Sequence, residues 1–244
     1  LRSSRTGTRP GKPTEPGQSA EQVQADEPDR PTAAGQADET GRPAAPDRYA
    51  GRTSGPVLTG WWSVAVAVAA GLALAAAFPP VGVWPLAMAG PALLILAVWR
   101  KGPQATFGLG LACGGAFFVP LLSWVVNVAW YAWAALAGLE TVMFGVLTLG
   151  LWPLLRLRGW PAAVAGWWVA QEAVRDRFPW GGFPWGRLAM SQADAPTAGW
   201  AAIGGPPLLT LALALAGGCL AFLVITVVGQ RRPGQRRPDQ RRPG

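Results

Sequence analysis

From Val57 to Val228 the chain carries only seven basic and four acidic side chains, no His, and apolar runs that repeat along its whole length. A helix needs roughly 20 apolar residues to cross the hydrocarbon core of a bilayer. The region offers about six such stretches: 58–77, 83–99, 105–126, 131–153, 160–174 and 201–228. The fifth has the shortest uncharged run, and the sixth is long enough to tilt. Trp61 and Trp62 open the first as an interfacial anchor. Phe78-Pro79-Pro80-Val81-Gly82 turns the chain tightly between the first two. The expected fold is all-α: a polytopic helical membrane bundle of about six transmembrane helices.

The flanks differ in kind. Residues 1–56 hold no Trp, Phe, Ile or Met and balance eight basic against eight acidic side chains. Too little apolar surface is available there to offset the entropy of ordering, so disorder is expected. Residues 229–244 repeat Gln-Arg-Arg-Pro from Gln230, Gln235 and Gln240, a low-complexity tail also expected to be disordered. The basic excess lies largely in this tail. No basic domain presents a nucleic-acid surface.

Basic residues alternate with the spans. Arg48 and Arg52, Arg100 and Lys101, Arg156 and Arg158, and the Arg-rich tail fall on one side, and the first two opposite turns carry no charge. The positive-inside pattern predicts a multi-pass plasma-membrane protein with both ends cytoplasmic and residues 175–200 extracytoplasmic. That last segment breaks the trend with Arg175, Arg177 and Arg187, partly offset by Asp176 and Asp194.

Cys113 and Cys219 sit inside apolar runs and read as small buried hydrophobes, not as a disulfide framework. Without His there is no His-based triad, metal site or proton switch, and no metal or cofactor is expected. The chain begins at Leu1 and not Met, which fits a fragment or a mispredicted start. Its first apolar run lies nearly 60 residues in and reads as a signal anchor.

The irregular outer segment concentrates the chemistry. Phe-Pro-Trp-Gly occurs twice, at 178–181 and 183–186, ahead of Arg187 and Ser191-Gln192. Pro and Gly prevent a regular helix, and the aromatics favour the headgroup layer. One reading is a lipid- or substrate-binding loop with Arg side chains available to phosphate or carboxylate; the other is a plain aromatic belt. Glu140 falls in mid-span and is read as a buried structural carboxylate. Glu172 is expected to pair with Arg175 or Arg177, or to contact substrate. Asn127, after Trp124, caps a helix end or meets a headgroup. Ser191 lacks a neighbouring base. Gly108, Gly110, Gly114 and Gly115 suggest close helix packing, not a nucleotide fingerprint.

These segments resemble bacterial apolipoprotein N-acyltransferases of the actinobacterial type. Phe78 to Ala87 looks like that family's first outside hairpin, and Ser123-Trp124-Val125-Val126-Asn127 is similar to its Trp-Val segment. The most specific match is Glu172–x–x–Arg175, then Gly182-Phe183-Pro184-Trp185 and Ser191-Gln192, continued by Ala195-Pro196, Gly199 and Ile203-Gly204. After Gly204 the chain has Gly205-Pro206-Pro207, where many relatives carry a larger residue.

The resemblance covers about 58–228. It implies transfer of an acyl chain from a phospholipid to the α-amino group of a lipoprotein's diacylglyceryl-cysteine, through a thioester on Cys with a Glu base and a Lys oxyanion stabiliser. That triad belongs to a nitrilase-like domain with no counterpart in these 244 residues, so the chain alone is expected to be inactive. Its implied partners are the phospholipid donor and the lipoprotein acceptor. Trp180, Phe183, Pro184, Trp185 and Arg187 are the expected binding residues, with Glu172, Arg175, Ser191 and Gln192 in support and Asn127 and Glu140 as further candidates. An alternative is a non-enzymatic scaffold for a partner such as a polyprenol-phosphate mannose synthase. A small transporter is disfavoured by the lack of internal repeats.

Overall fold

The computed structural model describes residues 58–230; the segment expected to be disordered at 1–56, and the tail beyond Gln230, lie outside the described residues. The described residues form helices and turns, with no strand among them. They are α1 (Trp61–Ala76), α2 (Leu86–Val98), α3 (Pro103–Leu121), α4 (Trp130–Thr148), the four-residue α5 (Leu151–Leu154), α6 (Trp160–Arg175) and α7 (Ala201–Gln230). Short 3-10 turns cover Ser123–Asn127, Leu188–Gln192 and Pro196–Trp200.

Local sequence sets these boundaries. Gly102 is extended, Pro103 occupies the first turn of α3 where a missing N–H costs nothing, and the Thr106 hydroxyl donates back to the Gly102 carbonyl at 2.9 Å. Between α1 and α2 the Gly82 N–H donates to the Phe78 carbonyl (2.9 Å) and the Val83 N–H to that of Ala76 (3.0 Å). α7 is broken near its start: Gly205 has φ 69°, and Pro206 and Pro207 begin the regular helix beyond it.

Six main helices stand where six spans are expected, but several are shorter. α1 has 16 residues and α2 has 13, about 24 and 20 Å of rise against roughly 30 Å of hydrocarbon. Three stretches are individually long and apolar enough to cross: Pro103–Leu121, Trp130–Leu154 and Pro196–Gln230. The bundle packs α4 on α3, α3 on α1, α1 on α2, α2 on α7 and α7 on α6, while α6 meets α4 more lightly. Ala67, Ala70, Leu74, Ile95, Phe117, Phe118 and Val164 form the interior. Leu72, Val119, Val142, Val146, Phe222 and Leu223 face outward. An apolar outside around an apolar core is the signature of a helical membrane bundle, not of a water-soluble domain.

The two ends differ. At one, the Lys101 ammonium donates to the Leu58 carbonyl (2.7 Å), Trp99 packs on Trp160 (5.5 Å) and Arg156 lies over the Trp152 ring (3.9 Å). Stacked Trp61 and Trp62 are exposed at the start of α1. The turns after α1, α3 and α6 gather at the other end.

Two expectations change. Cys113 is buried, but Cys219 lies on the outward surface of α7; an apolar run in a membrane bundle has a lipid face as well as a core face. Of the glycines on α3, Gly110 and Gly114 abut Thr148 and Phe144, whereas Gly108 has open space and Gly115 only an ordinary contact with Thr141 at 3.8 Å. The tightest approach of α1 to α3 is at Gly71, where a Cβ would run into the Cys113 carbonyl.

Gly71→Ala is therefore expected to destabilise the purified chain in detergent by about 1–3 kcal/mol through overpacking. Gly108→Ala, with nothing in its way, should leave the melting temperature unchanged or raise it. Equal melting temperatures for the two variants would contradict this packing.

Candidate functional site

The irregular segment begins where α6 ends. The Asp176 N–H donates to the Glu172 carbonyl (2.9 Å) and the Phe178 N–H to that of Val174 (2.9 Å). The chain then turns over Pro179–Gly182, closed by the Gly182 N–H on the Pro179 carbonyl at 2.8 Å. Trp180, Gly181 and Gly182 all have positive φ, at 51°, 94° and 79°. Glycine adopts that conformation freely, whereas for Trp180 it is strained. Gly182 is required on a second count: a Cβ there would collide with the Asp176 carbonyl. The Phe183 N–H returns to the Arg175 carbonyl at 2.9 Å and draws the second Phe-Pro-Trp-Gly against the bundle.

Two buried charged residues hold this segment. Arg175 is 1% exposed. Its Nε donates to Glu140 Oε2 on α4 at 2.8 Å, its Nη2 donates to the Trp185 carbonyl at 2.8 Å, and its guanidinium lies 4.8 Å from the centre of the Phe118 ring. Glu172, 3% exposed, accepts the Leu188 N–H on Oε1 and the Thr210 hydroxyl on Oε2, both at 2.9 Å. The expectation that Glu172 pairs with Arg175 or Arg177 is corrected. Arg175 reaches across to α4, Arg177 donates to the Ala173 carbonyl (2.8 Å), and Glu172 binds a backbone donor and α7. Residues three apart share a helix face, but a neighbouring helix offers Arg175 a more enclosed partner.

The aromatics divide by exposure. Trp185 stacks with Phe183 (6.1 Å, 20°) and packs on Trp124 (5.2 Å), a half-open aromatic surface beside exposed Pro184. Trp180, 94% exposed, stands off it at the turn. Arg187 pairs with Asp176 at 2.8 Å, while its Nε has no partner. Asn127 lies in the 3-10 turn after α3 and donates to the Trp124 carbonyl at 3.1 Å.

Further along, the Ser191 hydroxyl donates to the Leu188 carbonyl (2.7 Å). Gln192, fully buried, donates from Nε2 to Ser191 Oγ (2.8 Å) and to the Trp84 carbonyl (3.2 Å), and accepts the Thr197 hydroxyl on Oε1 (2.8 Å). It thereby ties the α1–α2 turn to the irregular segment. Sequence reasoning passed over Thr210, Thr197 and Trp84. A lone Thr in the long apolar run of α7 was the available signal. The Trp84 contribution is a backbone carbonyl and leaves no trace in residue type. Among the described residues no three of His, Cys, Asp and Glu gather as metal ligands.

Fold and site thus define a polytopic helical membrane protein that carries, at one end of its bundle, an aromatic segment fastened by buried charges. The chain belongs to the family described as the apolipoprotein N-acyltransferase N-terminal domain, whose model matches residues 70–219. It is 38% identical over 168 residues to an apolipoprotein N-acyltransferase of Mycolicibacterium smegmatis, covering 68% of this chain and 28% of that protein. It is 35% identical over 179 residues to one of Azotobacter vinelandii (67% and 34%), and 31% identical over 161 residues to one of Vibrio parahaemolyticus (60% and 32%). The chain thus spans about a third of the length of the curated relatives it matches.

The buried pair gives a coupled prediction. Glu140→Leu leaves the Arg175 charge without its carboxylate and should cost on the order of 3–5 kcal/mol, as breaking a buried pair does. Glu140→Leu combined with Arg175→Met should be more stable than Arg175→Met alone, measured by unfolding in detergent. Both Arg175 variants should speed tryptic cleavage after Arg177, because the Trp185 carbonyl loses its donor. Strict additivity in stability would show that the pair is not coupled.

Proposed function

We propose that this chain is the membrane part of an apolipoprotein N-acyltransferase. In that reading it holds a phospholipid acyl donor and a diacylglyceryl-cysteine lipoprotein acceptor at its outer end. The observation that carries the reading is the clamp on the second Phe-Pro-Trp-Gly. Arg175 and Glu172 grip the backbone at Trp185 and Leu188, so Phe183 and Trp185 present a fixed apolar surface beside Trp124. Such a surface suits acyl chains and the glyceryl portion of a lipidated cysteine.

The Cys, Glu and Lys that the family resemblance assigns to the reaction have no place here. Cys113 is buried between helices and Cys219 faces outward from α7. The membrane part binds and orients; the covalent steps belong to the nitrilase-like part of the enzyme. Basic Lys101, Arg156 and Arg158 at the opposite end favour a plasma-membrane orientation with that end cytoplasmic and the aromatic segment outside.

The test is binding of a fluorescent diacylglyceryl lipopeptide to the full chain in phospholipid nanodiscs. The wild-type chain should bind and should transfer no acyl group. Trp185→Ala should weaken binding about tenfold, the loss of roughly 1.4 kcal/mol of aromatic contact. Full N-acylation by the chain alone, or binding indifferent to Trp185→Ala, would overturn the proposal.

A further inference from the structure

Four carboxylates lie among the described residues, and three have assigned work. Glu140 holds Arg175, Glu172 holds Leu188 and Thr210, and Asp176 holds Arg187. Asp194 is the fourth. No hydrogen bond or ion pair engages its side chain, and although it stands just ahead of the Pro196–Trp200 turn, that turn has no side-chain cap. Asp194 opens onto a recess of about 300 Å³, counting the part open to the outside. One wall comes from the α1–α2 turn (Pro79, Gly82 and Trp84), and the other from Met190, Ser191 and Asp194.

The recess is preformed. Gln192 joins its two walls through the Trp84 carbonyl and the Ser191 hydroxyl. Ser191 Oγ is occupied by those same bonds, with the Leu188 carbonyl on its other side. The side chain free to meet a ligand is therefore an anion, in a recess otherwise lined by Trp84, Met190 and small apolar residues. Carboxylate and aromatic wall together select a cation with a short apolar body. The enclosed part is only about 40 Å³, well below the size of a whole-ligand site and far too small for an acyl chain, so it has room for a small terminal group and not for a whole lipid. The recess lies at the same end of the bundle as exposed Trp180 and Trp185.

We propose that the Asp194 recess binds a primary alkylammonium group. Two molecules could bring one: the ethanolamine of a phospholipid headgroup, or the free α-amino terminus of a lipidated peptide. Binding needs no acyl transfer, and the recess is separate from the Trp124–Trp185 surface. It can therefore stand or fall apart from the function proposed above.

The experiment uses the full chain in detergent. Short-chain phosphatidylethanolamine is compared with its N-acetylated form, and a diacylglyceryl lipopeptide with its N-acetylated form, with affinities read by native mass spectrometry. At least one of the two free amines should bind about tenfold more tightly than its acetylated partner, the worth of one charge-assisted contact. Asp194→Asn should erase that ratio, and Asp194→Glu should keep part of it. Which pair responds identifies the source of the amine. Equal binding of free and acetylated forms in both pairs, or a ratio that survives Asp194→Asn, would overturn the assignment. Asp194 is exposed and makes no internal bond, so its replacement should leave the fold intact, checked by an unchanged melting temperature.

Discussion

A guanidinium cannot be left unpaired inside an apolar bundle. Arg175 is the largest fully buried side chain described, and its surroundings follow from that fact. Removing such a charge from water costs several kcal/mol even after relaxation, so it persists only with a charged partner and with its remaining donors used. Glu140 provides the charge from α4, the Trp185 carbonyl takes a second donor, and the face of Phe118 covers the cation. Each partner fixes something else: α4 against α6 where the two helices otherwise touch lightly, and the aromatic segment against α3. The cost of one buried cation is met by fastening an otherwise irregular loop.

Glu172 solves the complementary problem. Non-helical backbone at the edge of a membrane domain must have its N–H and C=O groups paired by protein or by water. The segment from Asp176 to Trp200 has little helix, yet its chain is closed by bonds from Gly182, Phe183, Met190, Ala195 and Ala198 and by the Glu172 carboxylate on the Leu188 N–H. The second oxygen of Glu172 goes to Thr210, so α7 is tied to the same loop.

The number and order of the main helices was legible in the sequence because each follows an uninterrupted apolar run that Pro, Gly or charged residues bound. The family was legible from Gly182-Phe183-Pro184-Trp185 and Ser191-Gln192, where residue type is dictated by backbone shape and by buried hydrogen bonds. Pairing across helices was not. Glu172 and Arg175 are three apart, and local rules join them, but three-dimensional packing gives each a partner 35 or more residues away. Helix ends were also misjudged: hydropathy continues through Leu122–Val128, whereas α3 stops at Leu121 and a 3-10 turn follows. Apolar residues remain comfortable at a membrane interface whether or not they are helical, so hydropathy carries no boundary there.

Asp194 belongs to the same electrostatic logic by contrast. In a domain where each other described carboxylate meets a cation or a donor within the fold, a free one at the rim of a braced recess is the group left for something outside the fold. Its neighbours support that separation of roles. Gln192 and Ser191 saturate one another and the Trp84 carbonyl, which fixes the shape of the recess without using its charge. The clamp at Arg175 and Glu172 does the same for the aromatic surface, using both charges internally and leaving Trp185 exposed over a half-buried Phe183. Structure and the proposed recognition thus fall to different side chains only a few residues apart, and that division lets so short an irregular segment be both rigid and available.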